Sequence, residues 1–155
     1  MPLTLSENQK ILIEKYGVLM ERFGLSPVAA RVNALLTVTN LPYLSFDEIR
    51  VMLNISKSAT STAINTLLLL DYITFKTELG DRKRYFYPSI ESWKVKLERY
   101  FLNLKELSEV LAEIAESKTN QDAEQKKDVI EYSNFLQKHA LSSIQSLELD
   151  NLHGK

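Results

Sequence analysis

The amino-acid sequence predicts a mainly α-helical protein with one two-stranded β-hairpin. Apolar residues recur at helical spacing through most of the 155 residues, whereas alternation of apolar and polar residues is confined to one central region. Gly80 and Asp81 divide that region into two strands. Two short helices, a tight turn and a hairpin form the element order of a winged helix-turn-helix, and further helices precede and follow it.

The first two helices are predicted from their capping residues. Ser6 and Gln9 form a capping box at the start of one helix, and Gly24 is expected to end it. Ser26 is the expected N-cap of a second helix, because Pro27 follows it at the first helical position. Apolar residues at helical spacing continue each pattern, so both segments are expected to pack against a core.

The next two helices are predicted in the same way. Ser45 and Glu48 form a second capping box, and Asn54 is expected to close a helix of about three turns. Ser56 is the predicted N-cap of the following helix, residues 57–70. We expect this helix to bury an apolar face that consists of Ala59, Ala63, Leu67 and Leu70.

Residues 73–88 are predicted to form the hairpin, with Phe75, Thr77 and Leu79 on one side of its first strand. Two long amphipathic helices follow from Ser92, and the polar segment 117–127 joins them. The first helix has an apolar stripe of Val95, Leu97, Tyr100, Phe101, Leu104, Leu107, Leu111 and Ile114. The stripe of the second helix consists of Val129, Tyr132, Phe135, Leu136, Ile144 and Leu147.

Composition favours a cytoplasmic protein without disulfides. It contains no cysteine, its N-terminus lacks a basic segment followed by an apolar core, and no apolar run is long enough to span a membrane. The net charge is -1, but residues 1–90 carry ten Lys or Arg against eight Asp or Glu. Residues 91–155 carry nine against twelve, which is consistent with a polyanion-binding region followed by an assembly region.

Three regions are expected from this order. Residues 1–25 form an N-terminal helix that belongs to a dimer interface, residues 26–90 form the winged helix-turn-helix, and residues 91–155 form a helical dimerisation region. A small winged domain cannot cover the two long apolar stripes, and large exposed apolar patches are rare in monomers. We therefore expect a homodimer.

The helix 57–70 has a surface suited to the major groove of double-stranded DNA. Its outer face carries short polar side chains, and no acidic residue interrupts that face before Asp71. Lys57 at the rim is placed to hold a phosphate, and Asn65 can pair bidentately with adenine. The predicted DNA-binding residues of this helix are Lys57, Ser58, Ser61, Thr62 and Asn65.

The segment GDRKRYF, residues 80–86, is either a solvated hairpin tip or a wing that holds a phosphate backbone or minor groove. Its three consecutive cations, Arg82, Lys83 and Arg84, are the predicted contacts. Tyr85 and Phe86 are expected to belong to the supporting strand and not to the contact. The position of this segment after a helix with a small polar outer face favours the wing.

Three segments, LSPVAARVNALL, LSFDEIRVMLNISKSATSTAINTLLLLDYI and GDRKRYFYP, resemble the GbsR-type branch of the MarR family of winged-helix transcriptional regulators. The resemblance covers about residues 6–88. It implies a homodimer whose recognition helices enter the major groove while the wing tips lie at the minor groove, and it assigns these roles to the eight residues already named. Repression is the expected direction of regulation. Many wings of this family have Asp, any residue and Arg in succession, whereas Lys83 stands at the third position here. Which cation enters the minor groove, and which one pairs with Asp81, therefore stays open.

Other chemistry is disfavoured by the sequence. His139 and His153 lack metal-ligand spacing, and the four glycines, Gly17, Gly24, Gly80 and Gly154, form no phosphate-binding loop. We expect neither an enzyme nor a bound cofactor or metal. The alternative to a DNA-binding regulator is a winged-helix module for protein interaction, but the outer face of residues 57–65 lacks the large apolar anchors typical of such interfaces.

A small-molecule effector of unknown identity is possible. Some GbsR-type relatives respond to choline, a cation that aromatic rings can hold. The aromatic residues considered for such a pocket are Tyr16, Phe23, Tyr100, Phe101, Tyr132 and Phe135. Packing in a core or interface is the more frequent role of aromatic residues at helical spacing, so no ligand residue is assigned.

Overall fold

The computed structural model describes residues 4–119 and 123–153, the last three of them by their backbone only. The chain divides into two compact units, Met1–Ser92 and Trp93–Lys155. The described elements are, in chain order, α1 (Glu7–Arg22), α2 (Pro27–Val38), β1 (Leu44–Ser45), α3 (Phe46–Leu53), α4 (Lys57–Leu69), β2 (Ile73–Thr77), β3 (Arg84–Pro88), α5 (Ile90–Ser117) and α6 (Ala123–His153). The predicted fold class is confirmed: the protein is mainly helical and has the winged helix-turn-helix arrangement.

The predicted caps of α1 and α2 are present. The Ser6 hydroxyl accepts a hydrogen bond from the Gln9 amide at 3.2 Å, and the Gln9 side chain accepts one from the Ser6 amide at 3.0 Å. Ser26 caps α2 through the amide of Ala29 at 3.4 Å. Gly24 follows the end of α1 with a φ of +95°, a conformation in which glycine avoids the steric cost that other residues meet.

The helix α3 has the predicted caps but is shorter than expected. Ser45 and Glu48 form the capping box, and Asn54 closes the helix in the left-handed conformation with a φ of +50°. The helix contains eight residues, which is a little over two turns and not three. Asn54 tolerates the left-handed region better than most residues, which makes it suitable for this sharp end.

The sheet contains a third strand that the sequence did not reveal. Among the described residues the strand order is β1-β3-β2, and both pairs are antiparallel, so β3 is the central strand. Phe86 on β3 is paired with Leu44 on one side and with Phe75 on the other. The strand β2 ends at Thr77, so Leu79 lies in the turn and not on the strand face that was predicted for it.

The core of the first unit lies where α2 contacts α1 and α4. Its fully buried large side chains include Val32, Leu35, Leu44, Ile49 and Leu67. Burial of one such side chain contributes roughly 1.5–3 kcal/mol. This core fixes α4 relative to α2, and it thereby determines which face of α4 remains exposed.

The prediction for the buried face of α4 was partly wrong. Ala63 and Leu67 are buried as expected, but Leu70 is 43% exposed and Ala59 is only half-buried. Thr60 and Ile64 are buried in their place. Thr60 is tolerated in the core because its hydroxyl donates a hydrogen bond of 2.8 Å to the carbonyl of Ser56.

An ion-pair cluster joins α1 to α2. The Arg31 guanidinium contacts the carboxylates of Glu14, at 2.9 Å, and of Glu21. Gly17 lies beneath this side chain, and a Cβ atom at that position would come within 2.9 Å of Arg31 Cδ. Gly17 therefore leaves the space through which Arg31 crosses the surface of α1 to reach both carboxylates.

In the second unit, α5 and α6 are joined by a buried hydrogen bond between two serines. The hydroxyl of Ser133 on α6 donates a buried hydrogen bond of 2.7 Å to the carbonyl of Ser108 on α5. The buried residues described in these helices are Ser108, Ala115, Ser133, Leu136 and Ala140. Most of the large apolar side chains predicted as stripes are instead partly or largely exposed on the two helices.

Candidate nucleic-acid interface

A surface groove of about 360 Å³ lies between α4, the wing and the start of α3. Here the wing denotes residues 73–88. Ser61 and Asn65 of α4 line the groove on one side. The wing contributes Arg82, Lys83 and Arg84. Five of the eight predicted DNA-binding residues therefore line one groove, although they come from two elements that are separated in sequence.

The caps and the core of the first unit determine which face α4 presents. Ser56 caps the helix by accepting a hydrogen bond from the Ala59 amide at 3.1 Å. With Thr60, Ala63, Ile64 and Leu67 buried, the opposite face is exposed to solvent. The predicted residues on that face are all exposed: Lys57, Ser58, Ser61, Thr62 and Asn65.

Three predicted residues of α4 do not line the groove. They are Lys57, Ser58 and Thr62, which lie on the exposed helix surface outside it. The Ser58 hydroxyl is 3.2 Å from that of Ser56, so it forms part of the cap region. The helix N-terminus nearby has free amide groups and a partial positive charge, which favour an anion at this end.

The three wing cations have different surroundings. The Arg84 guanidinium lies over the ring of Phe75, 4.6 Å from its centroid, in a cation–π contact. Arg82 and Lys83 are exposed, and no ion pair holds their side chains within residues 4–119 and 123–153. Their charges are therefore available to a ligand in the groove.

One of the wing cations was expected to pair with Asp81, but the carboxylate accepts its hydrogen bonds from uncharged donors and forms no ion pair in the described part of the chain. One of its carboxylate oxygens accepts a hydrogen bond from the Lys83 amide at 2.9 Å, and the other accepts one from the Tyr85 hydroxyl at 2.6 Å. The bond from Tyr85 is the main reason that the pKa of Asp81 lies below its ordinary value. The same bond raises the pKa of Tyr85 to about 12.

Tyr85 was predicted only as part of the supporting strand, and its bond to Asp81 was missed. The two residues are four apart in sequence, on either side of the wing turn. A carboxylate followed directly by three cations suggests an ion pair with one of them. The sequence therefore gives no signal that the tyrosine after the cations is the partner. Phe86 is buried on β3, which agrees with its predicted role as a supporting residue.

A second set of contacts links the wing to Tyr43 in the segment before β1. The ring of Tyr43 packs edge-on against that of Tyr85, with centroids 5.1 Å apart. The Lys76 ammonium lies 3.6 Å from the Tyr43 ring centroid and 3.2 Å from a Glu78 carboxylate oxygen. The Tyr43 hydroxyl donates to the same carboxylate oxygen at 3.3 Å, so β2, β3 and the segment before β1 are linked.

One acidic residue also lines the groove. Asp47 is in the first turn of α3, where the helix N-terminus favours a negative charge. Its carboxylate is 3.8 Å from Arg50 Nε, which partly offsets the charge. The groove surface therefore combines three cations with a single carboxylate that already has a partner.

The described residues contain no cluster of three or more His, Cys, Asp or Glu that could hold a metal ion. His139 lies exposed on α6, with its ring centroid 4.4 Å from that of Phe135. The His153 side chain and Gly154 lie outside the described residues. Within the described part of the chain, no helix is both long and apolar enough to cross a membrane.

The aromatic residues considered for an effector pocket are divided between the two units. Tyr16 and Phe23 belong to the first, and the other four belong to the second, where Tyr100 and Phe101 pack edge-on. A second cavity of about 340 Å³ in the first unit is lined by residues of α1, α2, the end of α3 and the segment before α4, and by none of these aromatic residues. That the protein binds a small-molecule effector stays a prediction.

Comparison with known proteins finds a solved structure with a similar fold, but no matching family. No family model and no curated protein matches the chain. A crystallised transcriptional regulator matches with 20% identity and a TM-score of 0.68, over 94% of this chain and 99% of that chain.

Two further structures match less well. The adhesin competence repressor AdcR of Streptococcus pyogenes has 18% identity and a TM-score of 0.40, over 86% of this chain and 99% of that one. A MarR protein of Peptoclostridium difficile has 17% identity and a TM-score of 0.42, over 87% and 86%. These two TM-scores do not establish a shared fold, but the first match shows that the chain has the fold of a crystallised transcriptional regulator.

Proposed function

We propose that the protein is a sequence-specific regulator of transcription that binds double-stranded DNA as a homodimer. The observation that carries this proposal is the shared groove, in which Ser61 and Asn65 of α4 lie opposite the wing cations. A helix with short polar side chains can approach base edges in the major groove. Cations on an adjacent hairpin can hold the phosphates or the minor groove beside it.

The roles within the interface follow from the local chemistry. Asn65 is exposed, and its amide can donate to and accept from the edge of an adenine. Arg82 and Lys83 are free of ion pairs among the described residues and would contact phosphates or the minor groove. Lys57, in the first turn of α4, would hold a phosphate together with the free amides there. Ser58, Ser61, Thr62 and Arg84 complete the proposed contact set.

Homodimerisation is supported by the distribution of apolar residues in the second unit. The buried positions of α5 and α6 are mainly small residues, whereas large apolar side chains are exposed. The exposed ones include Tyr100, Leu107, Val110, Ile114, Tyr132 and Phe135. Apolar patches of this extent usually mark an interface, and a second copy of the chain would place two recognition helices about one DNA turn apart.

We also propose that the chain belongs to the MarR family and to its GbsR-type branch. The three sequence segments named above support this membership, and the shared fold with a crystallised transcriptional regulator is compatible with it. Repression stays a prediction. It would be tested by placing a reporter gene behind a bound operator and measuring expression with and without the protein.

The salt dependence of DNA binding tests the proposed function. Lys57, Arg82 and Lys83, doubled in a dimer, would contact about six phosphates, so affinity should fall roughly a thousandfold between 50 and 200 mM salt. Fluorescence anisotropy with a labelled random-sequence duplex measures this fall. A protein that fails to bind the duplex at 50 mM salt, or whose affinity does not change with salt, would contradict the proposal and favour the protein-interaction module.

A further inference from the structure

We propose that Tyr85 is a positioning residue of the wing: its hydroxyl holds Asp81, so that the side chains of Arg82 and Lys83 stay available to DNA. This inference rests on the proposed function and concerns the same interface. It assigns Tyr85 a role in binding without direct contact with DNA. The bond of 2.6 Å between the Tyr85 hydroxyl and Asp81 carries the proposal.

The hydrogen bonds of Asp81 engage both carboxylate oxygens. Oδ1 accepts from the backbone amide of Lys83, and Oδ2 accepts from the hydroxyl of Tyr85. Both donors are uncharged, and neither neighbouring cationic side chain forms an ion pair with the carboxylate in the described part of the chain, although the charge of Lys83 is a lesser cause of its lowered pKa. A carboxylate that lacked one of these donors would attract the nearest cation, because an ion pair within about 4 Å remains favourable even near a protein surface.

Tyr85 is well placed to serve as a fixed donor. It lies on the central strand β3, where it is paired with Ser45 on β1 and with Lys76 on β2. Its ring packs edge-on against Tyr43, which is itself held by Lys76 and Glu78. The hydroxyl is therefore positioned by contacts on both sides of the strand, whereas the wing turn that it holds is exposed.

The competition for the cations determines the expected effect. Arg82 and Lys83 lie immediately after Asp81 in the chain, and their charges would otherwise be the closest partners of its carboxylate. A cation that is paired with Asp81 must break that pair before it can neutralise a phosphate. Loss of the Tyr85 hydroxyl should then remove about one phosphate contact from each subunit, although every wing cation is still present.

The substitution Tyr85→Phe removes the hydroxyl and keeps the ring. We expect DNA affinity at 150 mM salt to fall about tenfold. The slope of log affinity against log salt should become shallower by about 1.8, because each lost phosphate contact changes it by about 0.9 and a dimer loses two. Tyr87→Phe is the matched control, since the Tyr87 hydroxyl on the same strand makes no hydrogen bond to the described residues, and it should leave both values unchanged.

A double-mutant cycle with Asp81→Asn separates positioning from a general loss of wing structure. Asp81→Asn removes the carboxylate charge that would capture a cation. In the Tyr85→Phe background it should therefore restore the salt slope. Because removing a negative charge also favours DNA binding in general, the inference requires a larger gain in that background than in the wild type.

The outcomes distinguish the two proposals. If the wild-type protein shows no salt-dependent binding to DNA, the proposed function is wrong. If the wild type binds as expected but Tyr85→Phe matches it, the positioning role is wrong and the function stands. If Tyr85→Phe weakens binding and Asp81→Asn does not restore the slope, the hydroxyl acts only through the structure of the wing, and the inference is overturned.

Discussion

The three cations of the wing differ at the scale of single residues. The Arg84 guanidinium makes a cation–π contact with the Phe75 ring. Arg82 and Lys83 have exposed side chains without an ion pair in the described part of the chain. The sequence predicted all three as contacts and left open which of them enters the minor groove and which pairs with Asp81. The difference arises because Arg84 belongs to β3, whereas Arg82 and Lys83 lie in the turn before it. Side-chain directions alternate regularly only within a strand, so they can be assigned only once the end of the turn is known.

Arg82→Ala and Lys83→Ala should each weaken binding to all DNA sequences to a similar extent. A phosphate contact carries no base information, so the loss should appear equally in specific and non-specific complexes. Each substitution should lower the salt slope by about 1.8 for a dimer. Titration of two unrelated duplexes at several salt concentrations measures this, with Lys138→Ala in the second unit as the control. A loss confined to one duplex would contradict phosphate contact.

Asn65→Ala should instead relax the base preference at one position of each half-site. A bidentate contact to a base discriminates by about 1–3 kcal/mol, which is roughly a 5- to 150-fold difference in affinity. Competition between duplexes that differ at single positions measures the change. Asn40→Ala, which changes an exposed asparagine in the loop after α2, should leave the preference intact. An equal loss for every duplex would show that Asn65 does not read a base.

At the scale of elements, capping residues were the most informative part of the sequence. Ser6, Ser26, Ser45 and Ser56 were all predicted as N-caps, and each hydroxyl accepts a hydrogen bond from an amide in the first turn. This succeeded because a cap is a local interaction between residues three apart. The short strand β1 was missed because two residues contain no alternation, and its pairing with β3 is a long-range contact.

The orientation of α4 shows a second limit of the sequence. Thr60 was not predicted on the buried face because only apolar residues were assigned to that face. Its hydroxyl donates a hydrogen bond to the carbonyl of Ser56, and this bond allows the side chain to be buried. The five polar residues predicted on the opposite face are nevertheless all exposed, because they lie away from the buried stripe. Hence most of the candidate site was predictable residue by residue, whereas the grouping of Ser61 and Asn65 with the wing in one groove required the fold.

Ser56→Ala should reduce the free energy of unfolding by about 1 kcal/mol, because it removes the hydroxyl that caps α4. Chemical denaturation monitored by circular dichroism measures the change. Ser61→Ala on the exposed face of the same helix is the matched control, and it should be neutral or slightly stabilising since alanine has the higher helix propensity. An equal loss from both substitutions would contradict the capping role of Ser56.

At the scale of the whole molecule, the central property is the unequal distribution of apolar residues in the second unit. The stripes of α5 and α6 were predicted from the sequence as apolar faces. Sequence alone could not show that mainly small residues would be buried in these helices while the large ones stay exposed. In α6, Leu136 is 8% exposed while its neighbour Phe135 is 58% exposed. Such a surface requires a partner to become buried.

Phe135→Glu should convert the proposed homodimer into a monomer, because a charged side chain would be buried in the interface without a partner. Sedimentation velocity at several protein concentrations measures the oligomeric state. Leu69→Glu is the control, since Leu69 is 84% exposed at the end of α4 in the first unit and its substitution should leave the dimer intact. A wild-type protein that sediments as a monomer at all concentrations would contradict the proposed assembly.

Selection of bound duplexes from a random-sequence pool tests the central claim most directly. A homodimer with two recognition helices should enrich a roughly palindromic operator whose half-sites are centred about one helical turn, 10–10.5 base pairs, apart. The same selection with Asn65→Ala should lose the preference at one position of each half-site. Failure of the wild-type protein to enrich any sequence, at a salt concentration at which it binds DNA, would contradict sequence-specific recognition.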